Sequence, residues 1–169
     1  LHEHQLLQQS LKSTADRPAG EISIGAVPTA VPIAARFAAM LQARHPGILP
    51  SVLSLSSSEL ETRLNSLSID LALGYTQRMG SSDVKLRALP QYTEHYFLLR
   101  RAATPHAEEL QVGDAITWQE ASGYPLCLLT PEMHNRAIVN EAFATAGCTV
   151  RAVIETNSIL TMALSVVAG

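Results

Sequence analysis

The hydrophobic pattern in the first half of the chain alternates between strand-like apolar runs and the three-to-four-residue spacing of amphipathic helices. Apolar runs predict strands ending at Val27 and covering 51–55 and 69–75. Two helices between them are predicted from apolar residues that share one face: Ile33, Phe37, Met40 and Leu41 in the first, and Leu60, Leu64 and Leu67 in the second. Ser58 and Glu61 have the spacing of a capping box for the second helix. This β-α-β-α-β order favours a parallel sheet covered by helices.

The β-α-β-α part of this order returns in the second half. Residues 85–101 are predicted to be extended and antiparallel, followed by a connection with a short helix at 118–121. A strand is then predicted at 124–129, followed by a helix with Thr130 as N-cap, Pro131 at its first position and Gly147 as its stop. A second strand is predicted at 149–155. The helix after it has its apolar residues on one face: Leu160, Ala163, Leu164 and Val167. Because this second copy lacks a closing strand, we expect further chain beyond Gly169.

The composition fits one globular domain or two small lobes, since 47% of the residues are hydrophobic and 16% are charged. A net charge of −3 gives the chain no basic surface with which to bind nucleic acid by itself. No apolar run approaches the roughly 18 residues of a membrane span, so we expect no membrane contact. Leu1 is not an initiator methionine, which indicates a fragment. The polar residues 1–15 are predicted to be the tail of an exposed helix that "DRPAG" (16–20) ends.

The residues offer little chemistry for catalysis. Motifs of hydrolases, nucleotide-binding loops and metalloproteases are absent, and no nucleophile lies beside a base. His95 lies between Glu94 and Tyr96, but alternation along a strand sends neighbours to opposite faces. Cys127 and Cys148 form no CxxC pair and are predicted to be buried thiols in a reducing compartment, with a redox pair as the alternative. We therefore expect no enzyme, no metal site and no cofactor.

Hydroxyl and amide side chains follow four of the predicted strands, at the turns where helices begin. They are Thr29 with Pro28 before it, Ser56, Ser57 and Ser58, Thr130, and Asn157 with Ser158. Ligands of open parallel sheets bind at the carboxyl ends of strands, where helix N-termini supply free N–H groups that suit a small anion. The pattern therefore predicts a site for a small carboxylate or similar anion. The alternative for each residue is ordinary N-capping of its helix.

Three further residues have both a functional and a structural interpretation. Asp70, at the start of a predicted strand, is interpreted as a polar contact of the fold rather than a catalytic acid. Arg136, one turn into its helix, either pairs with a ligand or lies on the surface, and we expect the surface. Trp118, the only tryptophan, is expected to pack in the interior.

In their order and spacing, these segments resemble the effector-binding domain of the LysR-type transcriptional regulators. The resemblance rests on Gly20 before the first strand, "IG" at 24–25, "F-x8-HP" at 37–46, "EL-x3-L-x5-DLAL" at 59–73, "EHYFLLRRAATPHA" at 94–107 and "MALSVVAG" at 162–169. It covers nearly the whole chain. One departure is Ser68, where the family usually has glycine before the Ile-Asp pair.

The resemblance implies a two-lobed, periplasmic-binding-protein-like (type 2) α/β domain, with mixed sheets flanked by helices and an incomplete second lobe. It divides the chain into the end of a linker helix with a hinge (1–19), a first lobe (20–90), a crossover and connection (91–123) and a second lobe (124–169). A winged helix-turn-helix that binds promoter DNA would precede Leu1, and the last strand and helices would follow Gly169.

The resemblance also implies a small effector between the lobes. By position, Thr29, Ser57 and Thr130 match the family's effector-cleft turns. Cysteine-based peroxide sensing occurs in one branch of the family. Cys127 lies within a predicted strand and Cys148 just past a helix end, so that role is not assigned to them.

The family's dimer surface has two halves that match this sequence. The helix at 30–45 with the strand at 51–55 matches one half, and the helix at 131–146 with the strand at 149–155 matches the other half, on the partner subunit. The resemblance therefore implies a cytoplasmic homodimer or homotetramer. In it, effector binding would change the arrangement of the attached DNA-binding domains.

Two other classes of protein share the two-lobed plan. A solute-binding receptor of a transport system would have a signal peptide upstream, and the polar helix at 1–15 argues against it. An enzyme such as a late porphyrin-pathway deaminase or a dehydratase would need an activated cysteine or acid in the cleft, and neither cysteine lies at a strand-to-helix turn. We therefore favour the regulator and keep the receptor as the alternative.

Overall fold

The computed structural model describes residues 18–75, 86–101 and 110–169. The chain divides into two compact units, one up to residue 89 and one from residue 90 onward. The linker helix predicted at 1–15 lies outside the described residues.

The first unit is a three-stranded parallel sheet with helices between its strands. Its elements are β1 (Ala19–Ala26), a short 3-10 helix (Pro28–Ala30), α1 (Val31–Arg44), β2 (Gly47–Ser54), α2 (Ser57–Asn65) and β3 (Leu71–Leu73). The strand order is β2-β1-β3, and Ile24 of β1 lies opposite Val52 and Leu71. The predicted order of elements is confirmed, although β3 is shorter than the predicted strand at 69–75.

The core of the first unit lies around the carboxyl half of β1. Ile24 and Ala26 are fully buried, in a cluster that includes Leu60 of α2 and the nearby Ile69. A Cβ on Gly25 would lie 2.6 Å from Leu60 Cδ2 and 2.8 Å from Ile69 Cδ1. A side chain at this position would push the Leu60 and Ile69 side chains away, so glycine suits the close packing around the central strand.

The apolar face predicted for α1 is not the face that the unit buries. The helix packs through Ala34 and Ala38, whereas Ile33, Phe37 and Met40 are 41%, 41% and 69% exposed. Small residues let α1 approach the sheet closely, and the large apolar residues form a stripe on its outer surface.

The capping box predicted for Ser58 and Glu61 is wrong by two positions. The structure has the box at Ser56 and Glu59, because β2 ends at Ser54 and α2 begins as early as Ser57. Ser58 is an exposed residue inside the helix, and its carbonyl oxygen accepts from the Thr62 hydroxyl at 2.9 Å.

The structural interpretation of Asp70 is confirmed. Its carboxylate accepts from the backbone N–H of Ser23 at 2.8 Å, and its own N–H donates to Ser23 O at 2.9 Å. The residue thus joins the start of β3 to β1.

The second unit repeats the plan with a two-stranded parallel sheet. Its elements are α3 (Trp118–Ala121), β4 (Leu126–Leu129), α4 (His134–Thr145), β5 (Ala152–Thr156) and α5 (Ile159–Ala168). Trp118 packs edge-on against Phe143 with ring centroids 5.0 Å apart, as expected for an interior tryptophan. Gly147 ends α4 with a φ of 72°, which confirms the predicted stop.

Two predicted features of this unit are wrong. Residues 86–101, the described part of the stretch predicted to be an antiparallel strand, contain no strand. Alternating apolar residues are only a local signal, and a strand also needs a partner for its backbone hydrogen bonds. Thr130 is not an N-cap: Met133 takes that place after a turn in which Met133 N donates to Thr130 O at 3.0 Å.

The cysteines were predicted to be buried, and both are half-buried free thiols. Cys127 alternates along β4 with Leu126 and Leu128, which pack in the core with Val139, so it points to the opposite face. Cys148 lies just after α4, at the margin of the same core.

The face predicted for the last helix is exposed. Leu160, Leu164 and Val167 of α5 are 69%, 57% and 69% exposed, and no residue of α5 is buried. Among the described helices, none combines the length and the apolar character needed to cross a membrane.

Candidate functional site

The carboxyl ends of three parallel strands meet at one edge of the first unit, which we call the first edge. Leu55, just after β2, donates its N–H to Ala26 O at the end of β1, at 2.9 Å. Val27 donates its N–H to Leu73 O at the end of β3, at 3.0 Å. The turns after all three strands therefore begin side by side, at the edge where parallel sheets bind ligands.

Thr29 lies at the first edge, in the 3-10 helix, and is half-buried. Its hydroxyl oxygen is 3.3 Å from the phenol oxygen of Tyr75, which follows β3. Ala30 is the N-cap of α1 and no side chain caps this helix, so the capping alternative is wrong for Thr29. Pro28 is buried and lacks a backbone N–H, so it shapes the turn without donating. Tyr75 is not among the predicted site residues, because it is the last residue of the strand predicted at 69–75 and not part of a turn before a helix.

Ser56 is committed to capping α2. Its hydroxyl oxygen accepts from Glu59 N at 3.3 Å, and its own N–H donates to Glu59 Oε2 at 2.8 Å. That backbone hydrogen bond, with a second from the Ser56 hydroxyl, holds the pKa of Glu59 below its usual value. For Ser56 the capping alternative is therefore what the structure shows.

Ser57 is the first residue of α2 and has a different environment. The residue is 7% exposed, and its hydroxyl oxygen is buried without a hydrogen-bond partner among the described residues. A buried polar group without a partner costs about 1–3 kcal/mol, so such groups are rare and need an explanation. The hydroxyl lies at a helix N-terminus, where the helix dipole favours an anion.

Thr130 and Asn157 follow the two adjacent strands of the second unit, and we call their edge the second edge. Thr130 N donates to Thr156 O at 3.0 Å, which joins the ends of β4 and β5. Asn157 is exposed, and the N-cap of α5 is its neighbour Ser158, which accepts from Thr161 N at 3.2 Å. The capping alternative therefore does not apply to Asn157.

The Thr130 hydroxyl has a carboxylate neighbour within the unit. It donates to Glu132 Oε1 at 2.6 Å, and this hydrogen bond lowers the pKa of the exposed Glu132. The single hydroxyl proton of Thr130 is thus engaged by a carboxylate of its own unit.

Arg136 is buried rather than on the surface, so that prediction is wrong. It is 8% exposed, and its guanidinium donates to Leu129 O at 2.7 Å and to Glu155 Oε1 at 2.9 Å. The sequence pattern that indicates its burial is the helical spacing of Arg136 with Val139 and Phe143, which are buried on the same side of α4.

Neither edge provides a metal centre. The described ranges contain no group of three or more His, Cys, Asp or Glu side chains placed to hold an ion. The second unit also has a cavity of about 970 Å³. Its lining is largely apolar, with Trp118, Val139, Phe143 and Met162 among its residues, which does not match a small anion.

The structure thus gathers the predicted residues into two groups. Pro28, Thr29, Ser56 and Ser57 belong to the first edge, and Thr130 and Asn157 belong to the second. Within the first group, the hydroxyls of Thr29 and Ser57 do not cap a helix: α1 has no side-chain cap, and Ser56 caps α2.

Comparisons with known proteins agree with this geometry. Residues 15–169 match the family model of the LysR substrate binding domain. The structure is similar over 98% of the chain to that of HinK, a LysR family transcriptional regulator from Pseudomonas aeruginosa, with a TM-score of 0.59 and 21% identity. It is similar over 99% of the chain to a mutant of OxyR from Corynebacterium glutamicum, with a TM-score of 0.64 and 19% identity.

The chain spans 56% of the length of the HinK chain and 52% of that of the OxyR mutant. A comparison with curated protein sequences found no match. The structural likeness, at these identities, shows the fold, and the family model confirms the resemblance seen in the sequence. The chain belongs to the family of LysR substrate-binding domains, the effector-binding domains of LysR-type transcriptional regulators, which have a periplasmic-binding-protein-like type 2 fold.

Proposed function

We propose that this chain is the effector-sensing part of a LysR-type DNA-binding regulator, and that it binds a small anion between its two lobes. Thr29 and Ser57 supply hydroxyl donors, Thr130 supplies a third when its hydroxyl turns from Glu132 to the effector, and Pro28, Ser56 and Asn157 shape the turns around them. The observation that carries the proposal is the buried, unpartnered hydroxyl of Ser57 at the start of α2.

A small carboxylate is the ligand that best fits these donors. Ser57 and the first turn of α2 offer a hydroxyl and a helix N-terminus to a negative charge. Arg44 and Arg63 lie in the last turns of α1 and α2, at the opposite ends of these helices from the first edge. The effector is therefore held by hydrogen bonds and the helix dipole at this edge.

Effector binding is proposed to act through the oligomer. The stripe of Ile33, Phe37 and Met40 lies on α1 beside β2, which is the outer strand of its sheet in the described residues. We assign this stripe, with β2, to a homodimer or homotetramer contact whose other half is α4 with β5 of the partner subunit. A change in this contact would alter the spacing of N-terminal helix-turn-helix domains on promoter DNA. This requires that the effector bind two states of the protein with different affinities.

The protein is proposed to act in the cytoplasm as a regulator without catalytic activity. The alternative is a solute-binding receptor with the same fold. Both would bind the anion, but only the regulator couples that binding to DNA.

The test uses the full-length protein and its promoter DNA, with acetate, lactate, succinate and benzoate as probes. We expect at least one carboxylate to change the DNA affinity of the wild type, and Thr130→Ala to weaken this response while leaving DNA binding without carboxylate intact. An unchanged response in Thr130→Ala would overturn the site assignment. Anion binding without any effect on DNA would favour the receptor.

A further inference from the structure

The peptide unit that joins Leu129 to Thr130 is held from both sides. Its N–H, which belongs to Thr130, donates to Thr156 O at 3.0 Å. Its carbonyl oxygen, which belongs to Leu129, accepts from Arg136 Nη1 at 2.7 Å. Because a trans peptide unit is planar and its N–H and C=O point in opposite directions, these two hydrogen bonds fix its orientation. The placement of Thr130 therefore depends on Arg136 as well as on β5.

Arg136 is itself held in a single geometry. Nη1 also donates to Glu155 Oε1 at 2.9 Å, and Nε donates to Asn140 Oδ1 at 3.0 Å. The Arg136 side chain is 9% exposed, whereas that of Glu155 is 44% exposed. The rigid guanidinium thus links α4 and the ends of β4 and β5, which the single nitrogen of a lysine does less well.

Burying this charge is expensive, and stability alone explains it poorly. The ion pair with Glu155 offsets only part of this cost, because the Glu155 side chain is 44% exposed and solvent weakens the attraction. Here the guanidinium satisfies the carbonyl oxygen of the last residue of β4, directly before Thr130. This carbonyl points away from β5, and so β5 does not satisfy it.

We infer that Arg136 is a positioning residue for the proposed effector site, acting through the Leu129–Thr130 peptide rather than by touching the effector. The inference rests on the proposed function for the role of Thr130. The hydrogen bonds that hold the peptide are independent of that role.

The test is residue-resolved amide hydrogen exchange in the full-length protein, which needs no ligand. We expect Arg136→Met to make the Thr130 amide exchange at least tenfold faster. The Cys148 amide, which donates to Phe143 O at the far end of α4, should stay within threefold of the wild type and reports on the unit as a whole. Glu155→Gln is the matched control: it removes the charge partner but keeps the bond to Leu129, so Thr130 should stay within threefold.

Two results would overturn the inference. One is an unchanged Thr130 amide in Arg136→Met. The other is an equal acceleration of Thr130 and Cys148, which would show that Arg136 only stabilises the unit. If Arg136→Met does not fold, Arg136→Lys replaces it. The Thr130 amide of this variant is expected to exchange faster than in the wild type and more slowly than in a free peptide. Exchange at the wild-type rate would contradict the inference.

The carboxylate response separates this inference from the proposed function. If Thr130→Ala leaves the response to the four probes unchanged, the assignment of Thr130 to the effector site is wrong, whatever the exchange shows. If Thr130→Ala weakens the response and Arg136→Met does not, the proposed function stands and the positioning role is wrong.

Discussion

Ser56 and Ser57 are sequence neighbours whose hydroxyls have opposite roles at the start of α2. The Ser56 hydroxyl completes a capping box, and the Ser57 hydroxyl is buried without a partner among the described residues. The Ser56 hydroxyl stabilises the fold, whereas the Ser57 hydroxyl lowers the stability of the folded chain and is nevertheless present. This contrast within one turn is the residue-scale basis for assigning Ser57 to a ligand.

The contrast predicts opposite effects of two alanine substitutions on the free energy of unfolding without effector. Ser56→Ala should lower it by about 1 kcal/mol, because the N-cap hydrogen bond is lost. Ser57→Ala should leave it unchanged or raise it by up to about 1 kcal/mol, because an unsatisfied buried hydroxyl is removed. Urea denaturation measures both. A loss in Ser57→Ala as large as that in Ser56→Ala would mean that the Ser57 hydroxyl supports the fold.

Leu67, two residues after the end of α2, is a non-glycine residue in the left-handed region, with a φ of 55°. Leu67 N donates to Leu64 O at 3.1 Å and Ser68 N to Arg63 O at 2.9 Å, the two bonds of a Schellman motif. The family's usual glycine corresponds to Ser68, one position later. Leucine is strained here and gains little from packing, since it is 82% exposed.

Leu67→Gly is therefore predicted to stabilise the protein. Relief of the left-handed strain is worth about 1–2 kcal/mol, and the added freedom of glycine in the unfolded chain takes back part of it, leaving about 0.5–1 kcal/mol. Leu67→Ala is the control, since it removes the same exposed side chain but keeps the strained φ, and it should change stability little. Equal midpoints of urea unfolding for the two variants would contradict the argument.

Helix α2 carries a charge at its first turn that makes its stability depend on pH. The Ser56 backbone N–H and hydroxyl both bond to Glu59 and lower its pKa in the folded state. A carboxyl with a lowered folded pKa contributes fully above its unfolded pKa of about 4.3 and loses this contribution as the pH falls through the folded value.

Glu59→Gln keeps an acceptor oxygen but removes the charge, so the free energy of unfolding of this variant should lack the pH dependence that Glu59 contributes. The difference in unfolding free energy between wild type and Glu59→Gln is expected to be constant near neutral pH. It should shrink as the pH falls below about 4.3, through the unfolded and then the folded pKa. Urea titrations at successive pH values measure it, and a difference that grows on acidification would show the opposite sign of pKa shift.

The order of strands and helices follows from the sequence wherever short apolar runs alternate with helical spacing. Features that depend on contacts between distant parts of the chain are not predicted correctly. Residues 86–101 alternate like a strand but pair with no strand in the described structure. Met133 rather than Thr130 caps α4, because a turn precedes the helix.

The candidate site shows the same division. The position of hydroxyls after strands is a local property, so the sequence predicts that Thr29, Ser57 and Thr130 lie in these turns. That Ser57 is unpartnered while Ser56 is not depends on where α2 begins, and the burial of Arg136 depends on the packing of α4. The first requires the tertiary structure, whereas the helical spacing of Arg136 with Val139 is a sequence pattern that favours the interior for Arg136.

At the scale of the whole molecule, the exposed stripe on α1 is, like the exposed face of α5, a feature that the packing of one chain does not explain. Ile33, Phe37 and Met40 lie three and four residues apart and are each at least 41% exposed. Contiguous exposed apolar residues of this kind mark contact surfaces.

Phe37→Glu in the full-length protein is predicted to shift the oligomer toward monomer, because it places a charge in the centre of the stripe. Phe37 lies outside the buried core cluster, so the variant should remain folded. Gln42→Glu, on the same helix but away from the stripe, is the matched control. Sedimentation equilibrium measures the mass, and an unchanged mass for Phe37→Glu would remove α1 from the oligomer contact.

The central claim is that a small carboxylate binds to the Ser57 hydroxyl and the helix N-terminus beside it. The most direct measurement is the dissociation constant of whichever of acetate, lactate, succinate and benzoate binds best, in wild type and in Ser57→Ala, by calorimetry on the full-length protein. The account predicts a constant about five- to tenfold larger in Ser57→Ala, the loss of one hydrogen bond, with no loss of stability without ligand. An equal dissociation constant in the two proteins, or no binding of any of the four, would contradict it.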